Sequence, residues 1–262
     1  MLLNTARREM TNLVLLETHN QIATLTLNRP ERHNSLVPEL LREMLNALEQ
    51  VSQQTDLRAL VLQANGRSFS TGGDVEAFYD HSDQIEAYAR EIVGLLNQVI
   101  VAMVRLPVPI VAAVHGIVTG GSLGLVLASD IVLIAPEASF TPYYPIVGFS
   151  PDGGWTAMLP AVIGNKRASE ILMLNQPITA EQAVAWGIAN RIVAQNRIHD
   201  EARAVAESIA HKKWGSLQHT KRLLWQDADA LTARLAGERA RFCEQIVTME
   251  AREGMEAFLK KR

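Results

Sequence analysis

Short apolar runs with the pattern of β-strands alternate with segments of helical periodicity over about the first 195 residues. Strand-like runs at 13–17 and 22–27 are separated by four residues, which predicts a β-hairpin. Apolar residues then recur with a helical period across 37–51. Further strands are predicted at 57–62, 109–114 and 131–134, and further helices at 84–104 and 123–128. Such alternation indicates an α/β architecture with crossover connections.

Beyond residue 195 the pattern becomes helical, after a last strand-like run at 191–193. Helices are predicted at 180–186, 197–211, 216–225 and 229–260. We therefore divide the chain into an α/β core domain, residues 1–195, and a C-terminal helical region, residues 196–262.

The composition is that of a folded globular protein, with 48% hydrophobic and 20% charged residues among 262. The net charge is −3 and basic residues form only small groups, such as Lys212-Lys213, so the charge pattern of a nucleic-acid binder is missing. Cys243 is the one cysteine and has no partner for an internal disulfide, which fits a reducing compartment.

The sequence patterns predict neither a secretory signal nor a membrane span. The first ten residues contain no apolar signal-peptide core, and Met10 is an alternative start because recognisable pattern begins at Leu13. The most apolar stretch, 116–128, is short and interrupted by glycine. We predict a cytoplasmic protein without nucleic-acid or membrane partners.

Two glycine-containing turns, 66–74 and 115–122, each join a strand end to a helix start. Glycine permits positive φ angles and close approach of a ligand to the backbone. The first amides of a helix are unpaired and carry partial positive charge, so two such N–H groups facing one oxygen would form an oxyanion hole. Taken singly, each turn fits an ordinary loop better than a site, and neither matches a P-loop or a dinucleotide-binding motif.

Six sequence blocks form a collinear set over residues 12–262. The first turn contains Phe69-Ser70-Thr71-Gly72-Gly73-Asp74, which has the pattern Phe-Ser/Cys-x-Gly-x-Asp. The other blocks are Asn28-Arg29-Pro30 with Asn34-Ser35-Leu36, Val111-Ala112-Ala113-Val114-His115-Gly116 with Gly120-Gly121 and Asp130, Ser150-Pro151-Asp152-Gly153-Gly154 with Leu159-Pro160 and Ile163-Gly164, Ala180-Glu181-Gln182-Ala183 with Gly187-Ile188-Ala189-Asn190, and Ala257-Phe258-Leu259-Lys260-Lys261-Arg262. These blocks resemble the motifs of the crotonase (enoyl-CoA hydratase/isomerase) superfamily. No single block is specific to that family, but the whole set in this order is.

The resemblance implies a crotonase-like spiral of ββα units with a helical C-terminal region that mediates trimerisation. It also implies an acyl-CoA thioester as the substrate and self-association as a homotrimer or a dimer of trimers. No metal is implied, and no cofactor beyond the coenzyme A that the substrate carries.

The same resemblance assigns the oxyanion donors to the N–H groups of Gly73 and Gly121. Arg32 is expected to reach a phosphate of coenzyme A, and Phe258 and Lys261 to line its adenine pocket. The other residues expected to contact the substrate are Ser68, Phe69, Ser70, Thr71, Gly72, Asp74, Gly120 and Tyr144. Asp74 is also predicted to cap the helix that follows the first turn.

The two glutamates of a typical hydratase of this family are absent. Hydration of the double bond needs two carboxylates that hold and activate one water. By the family pattern they fall at Gly124 and Tyr144, and neither residue can act as a carboxylate. Tyr144 is interpreted first as a pocket wall, with hydrogen-bond donation to the substrate as the alternative.

Asp152 is the remaining candidate for a catalytic base. In a Pro-Asp-Gly-Gly string an aspartate is ordinarily a turn residue or a helix N-cap. In several branches of the superfamily, however, an aspartate in this block acts on the substrate; they include isomerases, naphthoate synthases and a dehalogenase. The apolar neighbours Val147, Phe149 and Trp155 are expected to raise its pKa.

One base and one oxyanion hole suffice to shift a double bond, so the sequence predicts an acyl-CoA isomerase that uses Asp152. The alternatives are an enoyl-CoA hydratase or another lyase on the same scaffold, and a non-catalytic family member that binds acyl-CoA.

Overall fold

The computed structural model describes residues 12–260, so the alternative start at Met10 and the predicted adenine contact Lys261 lie outside the described residues. The strands are β1 (Val14–His19), β2 (Ile22–Leu27), β3 (Ala59–Ala64), β4 (Ile110–Val114), β5 (Ile117–Thr119), β6 (Ile131–Ile134), β7 (Ser139–Thr141) and β8 (Arg191–Ile192). The helices are α1 (Pro38–Gln53), α2 (Val75–Asp80), α3 (Ile85–Arg105), α4 (Leu123–Leu127), α5 (Tyr144–Val147), α6 (Leu159–Ile163), α7 (Asn165–Leu174), α8 (Ala180–Ala185), α9 (Ile198–Ala210), α10 (Trp214–Leu224), α11 (Ala228–Ile246) and α12 (Met249–Leu259).

The predicted hairpin is formed by β1 and β2, which pair antiparallel from Val14 opposite Leu27 onward. Asn20 and Gln21 make its turn with positive φ angles of 49° and 65°. A two-residue type I′ turn requires positive φ at both central residues, and its twist matches that of the flanking strands. The four-residue gap in the sequence pattern therefore shortens to two residues in the structure.

The strands form a six-stranded sheet in the order β1-β2-β3-β4-β6-β8 and a two-stranded sheet of β5 and β7. Apart from the β1–β2 hairpin, every neighbouring pair within residues 12–260 is parallel. Parallel neighbours need crossover connections, which α1 provides between β2 and β3 and α3 provides between β3 and β4. The predicted α/β architecture is confirmed.

The six-stranded sheet is covered by helices on both faces. Along β3, Leu60 and Leu62 belong to a large core that includes residues of α1, α3 and α11. Ala59 and Val61 belong to a smaller core with residues of α9, because successive side chains of a strand point to opposite faces. The predicted C-terminal helical region thus packs directly on the predicted core domain. The division at residue 195 stays a prediction.

The prediction of one continuous helix over 229–260 is wrong, because two helices occupy this stretch. The first ends at Ile246 and the second begins at Met249, with Thr248 as its N-cap. The Thr248 hydroxyl accepts a hydrogen bond from the amide of Ala251 at 3.3 Å, which satisfies a donor that the helix start leaves open. The break allows α12 to fold back against α2 and α5.

The helical stretch 82–105, which contains α3, is the one stretch in the described part of the chain that is long and apolar enough to cross a membrane. Within its most apolar window, 56% is buried inside the protein. α3 packs against α1 and α11, as a core helix does.

Candidate active site

The two glycine turns lie side by side in the structure. The first follows β3, and the second is a short 3-10 turn, Gly120–Ser122, between β5 and α4. The Thr119 amide donates to the Ser70 carbonyl oxygen at 3.2 Å, and the Ser70 amide donates to the Ile117 carbonyl oxygen at 3.2 Å. Backbone pairing with β5 therefore joins two turns that are distant in sequence.

The predicted oxyanion donors belong to this pair of turns. A methyl group built on Gly120 would lie 3.6 Å from the Cα of Gly72 and 4.0 Å from the amide nitrogen of Gly73. Gly72 has a φ of +71°, and a methyl group there would lie 2.5 Å from the Thr119 carbonyl oxygen, so this close approach needs glycine. The Gly73 N–H has no acceptor among residues 12–260. Gly121 lies at a helix start, where amides lack intrahelical acceptors.

The loop that carries Asp152 packs against the second glycine turn. Gly153 has a φ of +59°, and a methyl group on it would lie 2.3 Å from the Cα of Gly121. A methyl group on Gly121 would in turn lie 3.2 Å from both carboxylate oxygens of Asp152. The loop therefore holds this carboxylate next to a predicted oxyanion donor.

Asp152 is buried and hydrogen-bonded to a tyrosine. Its carboxylate Oδ1 accepts a hydrogen bond from the Tyr144 hydroxyl at 2.6 Å. Burial raises the pKa of Asp152 to about 7, while the Tyr144 hydrogen bond lowers it and the charge of Glu238 raises it. Burial, and next the charge of Asp152, raise the pKa of Tyr144 well above its ordinary value. Tyr144 therefore stays a donor while Asp152 exchanges a proton near neutral pH, which suits a general base.

The interpretation of Asp152 as a helix N-cap is wrong. The helix that follows it, α6, begins at Leu159 and has Met158 as its N-cap. A turn does follow Asp152, because the Trp155 amide donates to its carbonyl oxygen at 3.4 Å. This turn uses the backbone of Asp152, so the carboxylate can face the glycine turn.

The structure leaves no room for a carboxylate at Gly124. A methyl group there would lie 2.4 Å from the Cδ1 of Ile100 and 2.5 Å from the carbonyl oxygen of Gly153. Tyr144 fills the second expected glutamate position, with its hydroxyl engaged by Asp152. Among the described residues that line the adjoining cavity, the acids are Asp74 and Asp152.

A cavity of about 200 Å³ opens beside these groups. Its polar lining includes Gly73, Gly121 and Asp152. Its apolar wall includes Leu36, Val75, Phe78, Ile92, Val93, Leu96, Val147, Phe149 and Phe242. The rings of Phe78, Phe149 and Phe242 contact one another, with centroids between 5.4 and 5.8 Å apart. The cavity thus offers an apolar group a place next to the Asp152 carboxylate and the two glycine turns of the predicted oxyanion hole.

Residues 17–262 match the family described as enoyl-CoA hydratase/isomerase. The chain belongs to the enoyl-CoA hydratase/isomerase family. It is 31% identical over 256 residues to 1,2-epoxyphenylacetyl-CoA isomerase of Escherichia coli (strain K12), with 97% of each chain covered. It is 35% identical over 243 residues to a protein named probable enoyl-CoA hydratase EchA12 of Mycobacterium tuberculosis (strain ATCC 25618 / H37Rv), with 88% of this chain and 84% of the relative covered.

The same family appears among solved structures. A crystal structure of an enoyl-CoA hydratase from Bacillus halodurans matches with a TM-score of 0.88 at 25% identity, covering 94% of this chain and 99% of that one. The predicted crotonase-like α/β fold with a helical C-terminal region is therefore confirmed. Trimerisation and the cytoplasmic location stay predictions. The described residues contain no cluster of three His, Cys, Asp or Glu side chains able to hold a metal, and independence from metals and added cofactors also stays a prediction.

Asp74 is the N-cap residue of α2 in this family member, as predicted, but its side chain makes no capping hydrogen bond to the helix. Its carboxylate accepts hydrogen bonds from Arg29 at 2.9 Å, Arg32 at 3.0 Å and the Ser35 hydroxyl at 3.1 Å. Burial raises the pKa of Asp74, but the hydrogen bonds from Arg29 and Arg32 outweigh it and hold the pKa below its ordinary value. Arg32 also pairs with Glu76 at 2.7 Å. Its contact with a phosphate of coenzyme A stays a prediction.

The other predicted contact residues of the enoyl-CoA hydratase/isomerase motifs fall into two groups. Those that line the cavity are Thr71, Gly73, Asp74, Gly120, Gly121, Tyr144, Asp152 and Phe258. Ser68, Phe69, Ser70 and Gly72 are buried instead. The Ser70 hydroxyl donates to the Asn34 carbonyl oxygen at 2.7 Å, and the Ser68 hydroxyl contacts the His33 Nδ1 at 3.2 Å. These side chains fix the shape of the first turn, and their contacts with coenzyme A stay predictions.

Sequence reasoning missed Glu238. It is a buried residue of α11, and it accepts a hydrogen bond from the Gly154 amide at 2.8 Å, within the loop that carries Asp152. The helical spacing of apolar residues in the sequence did contain a signal for Glu238. A glutamate three residues after Leu235 and four before Phe242 falls on the apolar face of the helix, where an unpaired charge is costly.

Proposed function

We propose that this chain is an acyl-CoA isomerase that shifts a double bond of its substrate through a thioester enolate. The single observation that carries the proposal is the position of Asp152. It is a buried carboxylate beside Gly121 with a pKa raised by burial to about 7. The two positions at which a hydratase of this family carries glutamates hold Gly124 and Tyr144 instead.

In the proposed reaction the ionised Asp152 removes a proton from a carbon of the acyl chain. The electron pair of the broken C–H bond delocalises onto the thioester oxygen, which accepts hydrogen bonds from the N–H groups of Gly73 and Gly121. Each such donor typically stabilises the transition state by about 3–4 kcal/mol. The protonated Asp152 then returns its proton to a different carbon, so atoms and charge balance without a further reactant.

Features of the cavity support an acyl-CoA thioester as the substrate. Its apolar wall suits a hydrocarbon acyl group, and the family acts on enoyl-CoA substrates by its description. The relative from Escherichia coli is named an isomerase of a CoA thioester, which agrees with the proposed reaction class. The coenzyme A portion arrives with the substrate, and the proposal includes no further cofactor.

Replacement of Asp152 by asparagine tests the proposal. The asparagine side chain keeps an oxygen acceptor for the Tyr144 hydroxyl but cannot take up a proton, so kcat for conversion of 3-enoyl-CoA to 2-enoyl-CoA is expected to fall by about 10²–10⁴-fold. The change is followed by the absorbance of the conjugated product. Asp200→Asn, at an exposed position on α9, is the matched control and should retain wild-type activity. Isomerisation at the wild-type rate in Asp152→Asn would contradict the mechanism.

Enoyl-CoA hydration is the second candidate, because the relative from Mycobacterium tuberculosis is named a probable hydratase. A hydratase consumes the conjugated double bond of a 2-enoyl-CoA, so the same absorbance falls. Turnover of 2-enoyl-CoA and not of 3-enoyl-CoA would favour this candidate. Calorimetric binding of acyl-CoA without turnover of either substrate would favour a non-catalytic binding protein.

A further inference from the structure

Glu238 is a buried carboxylate outside the cavity lining that contacts the loop carrying the proposed base. It is 5% exposed and lies in the middle of α11. It accepts hydrogen bonds from the Gly154 amide at 2.8 Å, the Thr156 amide at 2.7 Å and the Ala157 amide at 2.9 Å, and from the Thr156 hydroxyl at 2.7 Å. Glu238 is the acceptor in all four, which is the role of an ionised carboxylate.

The same loop is also held from the opposite direction. The indole of Trp155, a fully buried residue, donates to the carbonyl oxygen of Gly120 at 2.7 Å. Trp155 lies between two residues that bind Glu238, so the loop is fixed both to α11 and to the second glycine turn. One residue, Gly153, separates Asp152 from this anchored segment. The backbone of Gly153 packs on Gly121.

Two arginines of α11, Arg234 and Arg241, line the same surface depression as Glu238. On its own helix, Arg234 donates through Nε to the Ala157 carbonyl oxygen at 3.0 Å, and Arg241 pairs with Glu244 at 2.5 Å. Asp152 itself accepts a hydrogen bond from Tyr144 on α5. Burial raises the pKa of Asp152 to about 7, the Tyr144 hydrogen bond opposes this, and the charge of Glu238 adds to it.

We propose that Glu238 is a positioning residue for proton transfer by Asp152, which it serves by anchoring the loop that carries Asp152 and by holding a negative charge against that loop. This inference rests on the proposed function, since it assigns Glu238 a part in the same reaction. A base that must first take up a proton and later release it works best when neither form is strongly favoured at the working pH.

The variant Glu238→Gln tests the electrostatic part of this role. Glutamine keeps one oxygen acceptor for Thr156 and Ala157, loses the acceptor for the Gly154 amide and removes the charge. The acidic limb of kcat/KM against pH is therefore expected to move to lower pH by about 0.5–1 unit, because Asp152 loses a neighbouring like charge. The Asp152 carboxyl is also titrated directly by carbon NMR of aspartate-labelled protein, with Asp152→Asn used for assignment, and should shift by the same amount.

Two further variants separate charge from structure. Glu238→Asp keeps the charge on a shorter side chain, so it should lower kcat and leave the acidic limb where the wild type has it. Glu244→Gln removes an exposed charge from the same helix and should leave both quantities unchanged. Glu238→Asp also provides the comparison if the glutamine variant folds poorly.

The outcomes distinguish this inference from the proposed function. An Asp152 carboxyl that titrates at the same pH in Glu238→Gln and wild type would overturn the role of Glu238, whatever the activity data show. An acidic limb that moves equally in Glu238→Asp and Glu238→Gln would overturn it as well. Undiminished isomerisation in Asp152→Asn would instead overturn the proposed function, and the titration would still report on the Glu238–Asp152 interaction.

Discussion

The hydrogen bond between Tyr144 and Asp152 determines which of the two residues exchanges a proton. Both side chains are buried, and burial disfavours the charged form of each. The Tyr144 hydroxyl donates to the Asp152 carboxylate at 2.6 Å, which stabilises the ionised aspartate and the neutral tyrosine. The tyrosine at an expected glutamate position therefore takes the role of a fixed donor to the base.

Removal of that donor should make Asp152 a base only at higher pH. In Tyr144→Phe the Asp152 carboxylate loses a hydrogen bond that lowers its pKa. The acidic limb of kcat/KM should therefore move to higher pH by about one unit, and kcat/KM at pH 7 should fall roughly fivefold. Tyr143→Phe is the control, because the Tyr143 side chain is 40% exposed and lies next in sequence. The prediction fails if the two variants have the same pH profile.

At this scale the sequence predicted the candidate base and the absence of both glutamates, because motif positions identify residue types directly. It did not predict the partners of those residues. Asp74 has an N-cap position but binds Arg29 and Arg32, which lie more than forty residues earlier. The hydrogen bonds of Glu238 to residues 154–157 likewise depend on how α11 crosses the fold.

Among the elements, the contact between the loop 151–154 and the start of α4 sets the geometry of the site. A methyl group on Gly153 would lie 2.3 Å from the Cα of Gly121, and one on Gly121 would lie 2.5 Å from the Cδ2 of Leu96 and 3.2 Å from the Asp152 carboxylate. A similar contact excludes any side chain at Gly124, which faces the carbonyl oxygen of Gly153. Close backbone packing therefore explains why these positions carry glycine.

The variant Gly153→Ala should be destabilised and lose activity. Its methyl group would lie 2.3 Å from the Cα of Gly121, and its φ is +59°, so we expect a loss of about 2–4 kcal/mol in the free energy of unfolding. We also expect at least a tenfold fall in kcat, because Asp152 is displaced. Chemical denaturation and the isomerase assay measure the two effects.

Gly187→Ala is the matched control for this variant. Gly187 also has a positive φ, +84°, but a methyl group there would meet only Val162 at an ordinary 3.8 Å. It should lose only about 1–2 kcal/mol of stability and keep full kcat. Equal losses of kcat in the two variants would rule out the packing argument.

Most strands and helices were predictable because their apolar spacing is a local property of the sequence. The pairing of β5 with the first glycine turn was not, since it joins Ser70 to Thr119 across the fold. The break between α11 and α12 was also missed, because the helical spacing of apolar residues masks the N-cap at Thr248.

For the whole molecule, the raised pKa of Asp152 links stability to pH. Between about pH 4 and pH 7 the folded protein keeps a proton on this carboxyl that the unfolded chain releases. The stabilisation that comes from this proton is complete below the unfolded pKa and is lost as the pH rises through about 7. At higher pH the folded protein carries a buried negative charge on Asp152. An uncharged side chain at this position removes the cost of burying that charge.

Asp152→Asn should therefore be more stable than the wild type at pH 8. The difference in the free energy of unfolding is expected to be small near pH 4 and to grow to about 3–4 kcal/mol at pH 8. Urea denaturation across this range measures it, with Asp200→Asn as an exposed control whose difference should stay flat. A difference for Asp152→Asn that is independent of pH would show that the carboxyl titrates normally.

The cavity draws its wall from nearly the full length of the described chain, from Ser35 to Phe258. A ribosome makes α11 after Phe78, Leu96 and Phe149, so these side chains have no Phe242 to cover them until α11 has been synthesised. A messenger RNA truncated before the codons of α11 should accordingly yield a polypeptide without a closed acyl pocket. Its exposed apolar surface should be recognised by chaperones and proteases.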